Sequence, residues 1–68
     1  MRNRIKELRD RLPLTQEELA ERVHVSRQTI ISLEKGKYNP SILLAAKIAR
    51  VFKTDIETVF IFDKEDFL

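Results

Sequence analysis

The sequence predicts an all-α domain of five short helices closed by one short C-terminal strand. Apolar residues recur at three- and four-residue spacing through most of the chain. Thr15, Ser26 and Ser41 each stand where a side chain can cap a helix start. Only Val59-Phe60-Ile61-Phe62 is β-branched and aromatic enough to favour a strand.

From Asn3 to Leu12, the residues Ile5, Leu8 and Leu12 make one apolar stripe, the mark of a short amphipathic helix. Pro13 ends it, because the ring removes a backbone donor and disfavours the helical region for Leu12. Thr15 followed by Glu18 is a capping box, so a second helix starts there with Leu19, Ala20 and Val23 inward. After the turn His24-Val25, Ser26 caps a third helix to about Lys35, with Ile30 and Leu33 inward. Gly36, the only glycine, stands where a left-handed C-terminal cap is expected.

Ser41 caps a fourth helix that runs to Phe52 or Lys53. At about 100° per residue, Ile42, Leu44, Ala45, Ile48, Ala49, Val51 and Phe52 cover half of its surface, opposite Lys47, Arg50 and Lys53. Leu43 falls among the charges. So wide a face makes this helix either central or partly covered by a partner. Asp55 caps a last helix through about Val59, and after the strand Asp63 to Asp66 form a polar tail, with Phe67 and Leu68 read as a disordered end.

A chain of 68 residues has room for one small domain, and a core of that size gains from dimerisation. The absence of cysteine rules out disulfides and thiolate metal sites, and His24 is the single histidine. Neither a metal nor a cofactor is expected. No run approaches the roughly 20 apolar residues of a membrane span, and the start lacks the apolar segment of a signal peptide, so a cytoplasmic location is expected. The net charge of +2 hides an uneven distribution: +3 from Met1 to Arg11, −2 from Leu12 to Ser26, +5 from Arg27 to Lys53 and −4 from Thr54 onward. A basic centre with an acidic end suggests one anion-binding face, although a salt-bridged surface would give the same count.

Two short capped helices joined by a tight turn can cross steeply, so that the first props the second outward as a reading head. Several motifs stand around that unit: Leu14-Thr15-Gln16-Glu17-Glu18-Leu19-Ala20, Val25-Ser26-Arg27-Gln28-Thr29-Ile30, Glu34-Lys35-Gly36 and Tyr38-Asn39-Pro40-Ser41, with Lys47-Ile48-Ala49 beyond. In this order they resemble the phage repressor and Cro proteins and the xenobiotic-response-element type of bacterial regulators, and especially small stand-alone repressors of the cytolysin-repressor type. The resemblance implies a five-helix, lambda-repressor-like DNA-binding domain over residues 1–60, with the helix-turn-helix at about 15–34. It implies a transcriptional regulator of double-stranded DNA, in which residues 59–68 supply a strand, an acidic tail and a dimerisation element.

On that resemblance Arg27 and Gln28 meet base edges in the major groove, where arginine suits guanine and glutamine suits adenine, each such pair discriminating by about 1–3 kcal/mol. Arg27 is long enough to reach a phosphate instead. Ile31 and Ser32 lie one turn farther along. An exposed isoleucine there suits a thymine methyl group, and the competing reading packs Ile31 against the first helix. Gln16, Ser26, Thr29, Lys35, Lys37, Tyr38 and Asn39 are the implied backbone contacts, which give affinity without sequence information. Thr29 can also bond back within its own helix, and Tyr38 reads as a packing residue with its hydroxyl free. Glu34 would be repelled by phosphate, so it must point inward; in the family it pairs with an arginine that matches Arg9. His24 stands where relatives carry glycine in the left-handed region, a conformation histidine tolerates at a cost.

One reading helix covers too few base pairs for genomic specificity, which argues for a homodimer on a palindromic operator. Leu44, Val51, Ile56, Val59, Phe60 and Phe62 are the expected interface, against the alternative that Phe60 and Phe62 fold onto their own core. The acidic tail, repelled by DNA, is expected on the far side. The other function class is an antitoxin-type module that binds an unknown protein partner and also represses its own operon. An enzyme is not expected, because no His/Cys/carboxylate cluster and no phosphate-cradling glycine loop is present.

Overall fold

The computed structural model describes residues 1–67. Along the chain run β1 (Arg2–Asn3), α1 (Ile5–Arg11), α2 (Gln16–Arg22), α3 (Arg27–Glu34), α4 (Ile42–Val51), α5 (Ile56–Val59), β2 (Phe60–Ile61) and a 3-10 turn (Lys64–Phe67). The expected five helices and C-terminal strand are all present, and β1 is an addition.

Local chemistry sets the helix starts. Thr15 Oγ1 accepts from the Glu18 N–H at 3.0 Å while the Thr15 N–H donates to Glu18 Oε1 at 2.9 Å, closing the capping box. Ser26, Ser41 and Asp55 accept from the N–H groups of Thr29, Leu44 and Thr58 in the same manner. The start of α1 differs: Arg4 has no side-chain cap, and Asn3 Oδ1 instead accepts from the Ile5 N–H at 3.2 Å.

Three helices end alike. α2, α3 and α4 run into residues of positive φ, His24 at 60°, Gly36 at 71° and Lys53 at 56°. The N–H of the next residue then reaches back five positions, Val25 to Ala20, Lys37 to Ser32 and Thr54 to Ala49, each at 3.0 Å. Only Gly36 adopts this conformation without steric cost, and a Cβ there would also stand 3.0 Å from the Met1 carbonyl oxygen. α4 accordingly stops before Lys53, which turns the chain rather than extending the helix. Leu12 departs from expectation: it keeps a helical backbone despite Pro13 (φ −79°, ψ −21°), and α1 closes because the Leu12 and Leu14 N–H groups both bond the Arg9 carbonyl.

The core is built from every helix. Ile5, Leu19, Val23, Ile30, Leu33, Ile48, Val59 and Phe60 have essentially no exposed surface, and Leu14, Leu44, Ala45 and Ala49 pack beside them. Two residues of the predicted apolar stripes, both at helix ends, are exposed. Leu12 is 50% exposed and Ile42 is 83% exposed, as Leu43 is in large part too.

β1 pairs antiparallel with β2, with Arg2 opposite Ile61 and Asn3 opposite Phe60, and the Arg4 N–H continues the ladder to the Val59 carbonyl at 2.7 Å. Two polar residues carry no alternating pattern, so this strand exists only through its partner. The end read as disordered is held in part: the rings of Phe62 and Phe67 lie 5.9 Å apart, while Leu68 is outside the described residues.

Candidate nucleic-acid interface

α2 packs across α3, and the buried faces Leu19-Ala20-Val23 and Ile30-Leu33 fix how far α3 stands out. Capping at Ser26 and the left-handed turn at Gly36 define both of its ends, so its exposed side is presented from a rigid element.

A polar network braces the unit. Arg9 Nε donates to Glu34 Oε2 at 2.7 Å and Arg9 Nη2 to Glu34 Oε1 at 3.2 Å, while Arg9 Nη1 holds the Leu14 carbonyl at 2.9 Å. Both side chains are only 10% exposed. The hydrogen bond to Glu34, reinforced by its charge, outweighs burial and holds the Arg9 guanidinium above its ordinary pKa. The acid on the reading helix is thereby turned inward and neutralised. Gln16 Nε2 also donates to Glu34 Oε1 at 3.0 Å, and Arg27 Nη2 reaches Gln16 Oε1 at 3.4 Å. The brace therefore extends from α1 through Glu34 and Gln16 to the first residue of α3.

Arg27 and Gln28 are exposed at the start of α3, and Ile31 and Ser32 are half-buried one turn on. Ser26 Oγ lies 3.0 Å from Thr29 Oγ1 while also capping the helix, so both hydroxyls already have partners within the chain. Gln16 is half-buried, Lys35 is exposed at the C-terminal cap of α3, and Lys37, Tyr38 and Asn39 are exposed in the loop beyond Gly36.

The expected dimer surface divides. Leu44, Val59 and Phe60 are buried in the chain's own core, Phe60 because β2 turns it inward opposite Asn3, and they leave little surface for a partner. Val51 and Ile56 are half-buried and Phe62 is exposed. Ile42, Ile56 and Phe62 edge one apolar groove, floored by Ala45 and Phe60.

The acidic tail folds back to the C-terminal end of α3, away from its first turn. Asp63, Glu65 and Asp66 share an open cleft with Glu34, Lys35 and Gly36 at the C-terminal end of α3. The cause is the strand the sequence concealed. β1 carries Arg2, whose Nε donates to Asp63 Oδ2 at 3.1 Å and whose Nη2 bonds the other oxygen, and Asn3, whose Nδ2 donates to the Leu33 carbonyl at 2.7 Å. These contacts tie the tail and the reading helix to the same short strand. No sequence signal marked Arg2 and Asn3 for this role beyond the basic character of the segment. Among the described residues no His, Cys, Asp or Glu cluster could hold a metal ion, and no helix is long and apolar enough to cross a membrane.

A capped, braced helix pair with a polar reading face defines a helix-turn-helix DNA-binding protein. Residues 5–59 match the helix-turn-helix family model HTH_3. The chain belongs to this family, the Cro and phage-repressor type of helix-turn-helix transcriptional regulators. It is 65% identical over 66 residues to an HTH-type transcriptional regulator of Archaeoglobus fulgidus, covering 97% of this chain and 93% of that one. A Bacillus subtilis regulator, YgzD, is 48% identical over 66 residues, covering 97% and 100%. Among solved structures, SinR in a complex with SinI superposes with a TM-score of 0.77 at 29% identity, over 91% of this chain and 66% of that one. The clp gene regulator ClgR of Corynebacterium glutamicum gives 0.71 at 27% identity, over 76% and 55%.

Proposed function

We propose that this regulator is a repressor that binds a palindromic operator as a homodimer, with α3 in the major groove. The observation that carries the reading is the inward capture of Glu34 by Arg9, which leaves Arg27 and Gln28 as the polar face of α3's first turn. Arg27, Gln28, Ile31 and Ser32 are the base readers in this account. Gln16, Ser26, Thr29, Lys35, Lys37, Tyr38 and Asn39 hold the sugar-phosphate backbone.

Dimerisation uses Val51, Ile56 and Phe62, to which the structure's exposed Ile42 is a natural neighbour. An apolar groove of this kind is unfavourable in water and is relieved when two copies share it. The test combines a reporter gene placed behind an operator obtained by selecting bound sequences from random duplex DNA with sedimentation of the purified protein. Reduced transcription and a two-copy mass are expected, both dependent on Phe62. Unchanged or raised transcription would contradict repression, and an unaltered mass for Phe62→Asp would contradict this interface.

A second reading, in which another protein occupies the same groove, is favoured by one finding: SinR was solved in a complex with SinI. It predicts a mixed complex in place of the two-copy species.

A further inference from the structure

The N-terminal segment carries Arg2, Arg4, Lys6, Arg9 and Arg11, none of which figures among the DNA contacts above. Four of the five donate hydrogen bonds within the chain. Arg2 is held by Asp63, Arg4 donates to the Thr58 carbonyl at 3.1 Å, Arg9 grips Glu34, and Arg11 donates to Glu7 at 3.0 Å. Lys6 has only Asp10, 3.6 Å away on the next turn, and its side chain is 74% exposed. An exposed pair at that spacing holds a lysine weakly.

Lys6 opens onto a cleft where three helices meet. It comes from α1, Gln16 from α2 and Arg27 from α3, with Arg9, Thr15 and Glu17 completing the lining. Gln16 and Arg27 are already joined at 3.4 Å. With Arg9 already paired to Glu34, the exposed cations Lys6 and Arg27 border a single cleft beside the first turn of the reading helix, against the one carboxylate of Glu17, and an anion between the two cations lowers their mutual repulsion. An ammonium on a flexible stem suits a phosphate oxygen whose exact angle is not fixed.

We propose that Lys6 is a DNA-backbone contact of this protein, with its ammonium binding the phosphate that lies against the Gln16–Arg27 cleft. This rests on the operator-binding reading given above. Asp10 is then a competitor: on binding, Lys6 exchanges that carboxylate for the phosphate.

The test measures affinity against salt concentration for the selected operator and for a random duplex, with wild type, Lys6→Gln, Lys6→Arg, Asp10→Asn and Arg11→Gln. Lys6 is exposed, so the variants keep the wild-type circular dichroism spectrum. Lys6→Gln removes one contact from each protomer and is expected to lose about 10-fold or more in affinity for both duplexes alike, with the slope of log affinity against log salt flatter by about two and base preference unchanged. Lys6→Arg restores the slope, and Asp10→Asn binds more tightly than wild type. A wild-type slope in Lys6→Gln would overturn the proposal while leaving operator binding intact. So would an equal loss in Arg11→Gln, which would mark the effect as one of bulk charge. A wild-type chain that binds neither duplex would overturn the operator reading and this contact with it.

Discussion

Asn3 Nδ2 donates to the carbonyl of Leu33 at 2.7 Å, across 30 residues of sequence, and Asn3 Oδ1 accepts from the N–H of Ile5 at 3.2 Å. One amide thus joins the end of the reading helix to the start of α1. Asn3→Ala strands the Ile5 N–H in a half-buried place, while the Leu33 carbonyl keeps the Gly36 N–H at 2.9 Å, and is expected to cost about 1–3 kcal/mol. Urea unfolding measures it, and a midpoint equal to wild type would show that the bond contributes nothing net.

Glu34→Ala is expected to lose about 3–5 kcal/mol, since it strands the guanidinium of Arg9 in a nearly buried place and removes the acceptor of Gln16. For a small domain that approaches the whole stability. DNA binding therefore falls chiefly because the chain unfolds, and cooling or an osmolyte restores it together with the sequence preference. A Glu34→Ala variant with the wild-type melting temperature and weakened binding would instead make Glu34 a direct participant.

The helix pair was readable in the sequence because its signals are local. The capping box at Thr15 and Glu18, the Ser26 cap and the spacing of Leu19, Val23, Ile30 and Leu33 each need only a few neighbouring residues. β1 was not readable: Arg2 and Asn3 form a strand only because Ile61 and Phe60 lie opposite. The same long-range pairing hid the position of the acidic tail and turned Phe60 into the core. Val59 and Leu44 illustrate a related ambiguity, since an apolar face looks the same in sequence whether its own chain or a partner covers it. For Arg9 and Glu34, family resemblance supplied what spacing could not, while the link from Glu34 through Gln16 to Arg27 required coordinates.

Lys53→Gly tests the strained end of α4. A side chain in the left-handed region costs about 1–2 kcal/mol, part of which glycine returns as unfolded-state entropy. A gain of about 0.5–1 kcal/mol is expected on that balance, while Gly36→Ala should destabilise, because its φ is 71° and its Cβ would press on the Met1 carbonyl. Denaturant midpoints of the two variants should move in opposite directions, and a shift in the same direction would contradict the assignment.

Acid should weaken the fold through three exposed carboxylates. Hydrogen bonds from Thr15 hold Glu18 below its ordinary value of 4.5, and hydrogen bonds from Thr58 and Arg2 hold Asp55 and Asp63 below 3.8. A carboxyl depressed on folding binds its proton more readily in the unfolded chain, so its contribution is complete above the ordinary value and is lost as pH falls through the folded one. Melting temperature is expected to decline once pH drops below about 4.5, with the aspartates adding to the decline below 3.8. Combining Glu18→Gln, Asp55→Asn and Asp63→Asn should flatten that decline, and a triple variant with the wild-type acid profile would contradict these origins.

Selection of bound sequences from random duplex DNA tests the central claim most directly. The account predicts a palindrome whose half-site centres lie about 10 base pairs apart, with Arg27→Ala relaxing the preference at one position in each half-site at a cost of about 1–3 kcal/mol. Recovery of no enriched sequence, or of a pattern that Arg27→Ala and Gln28→Ala leave unchanged, would contradict it.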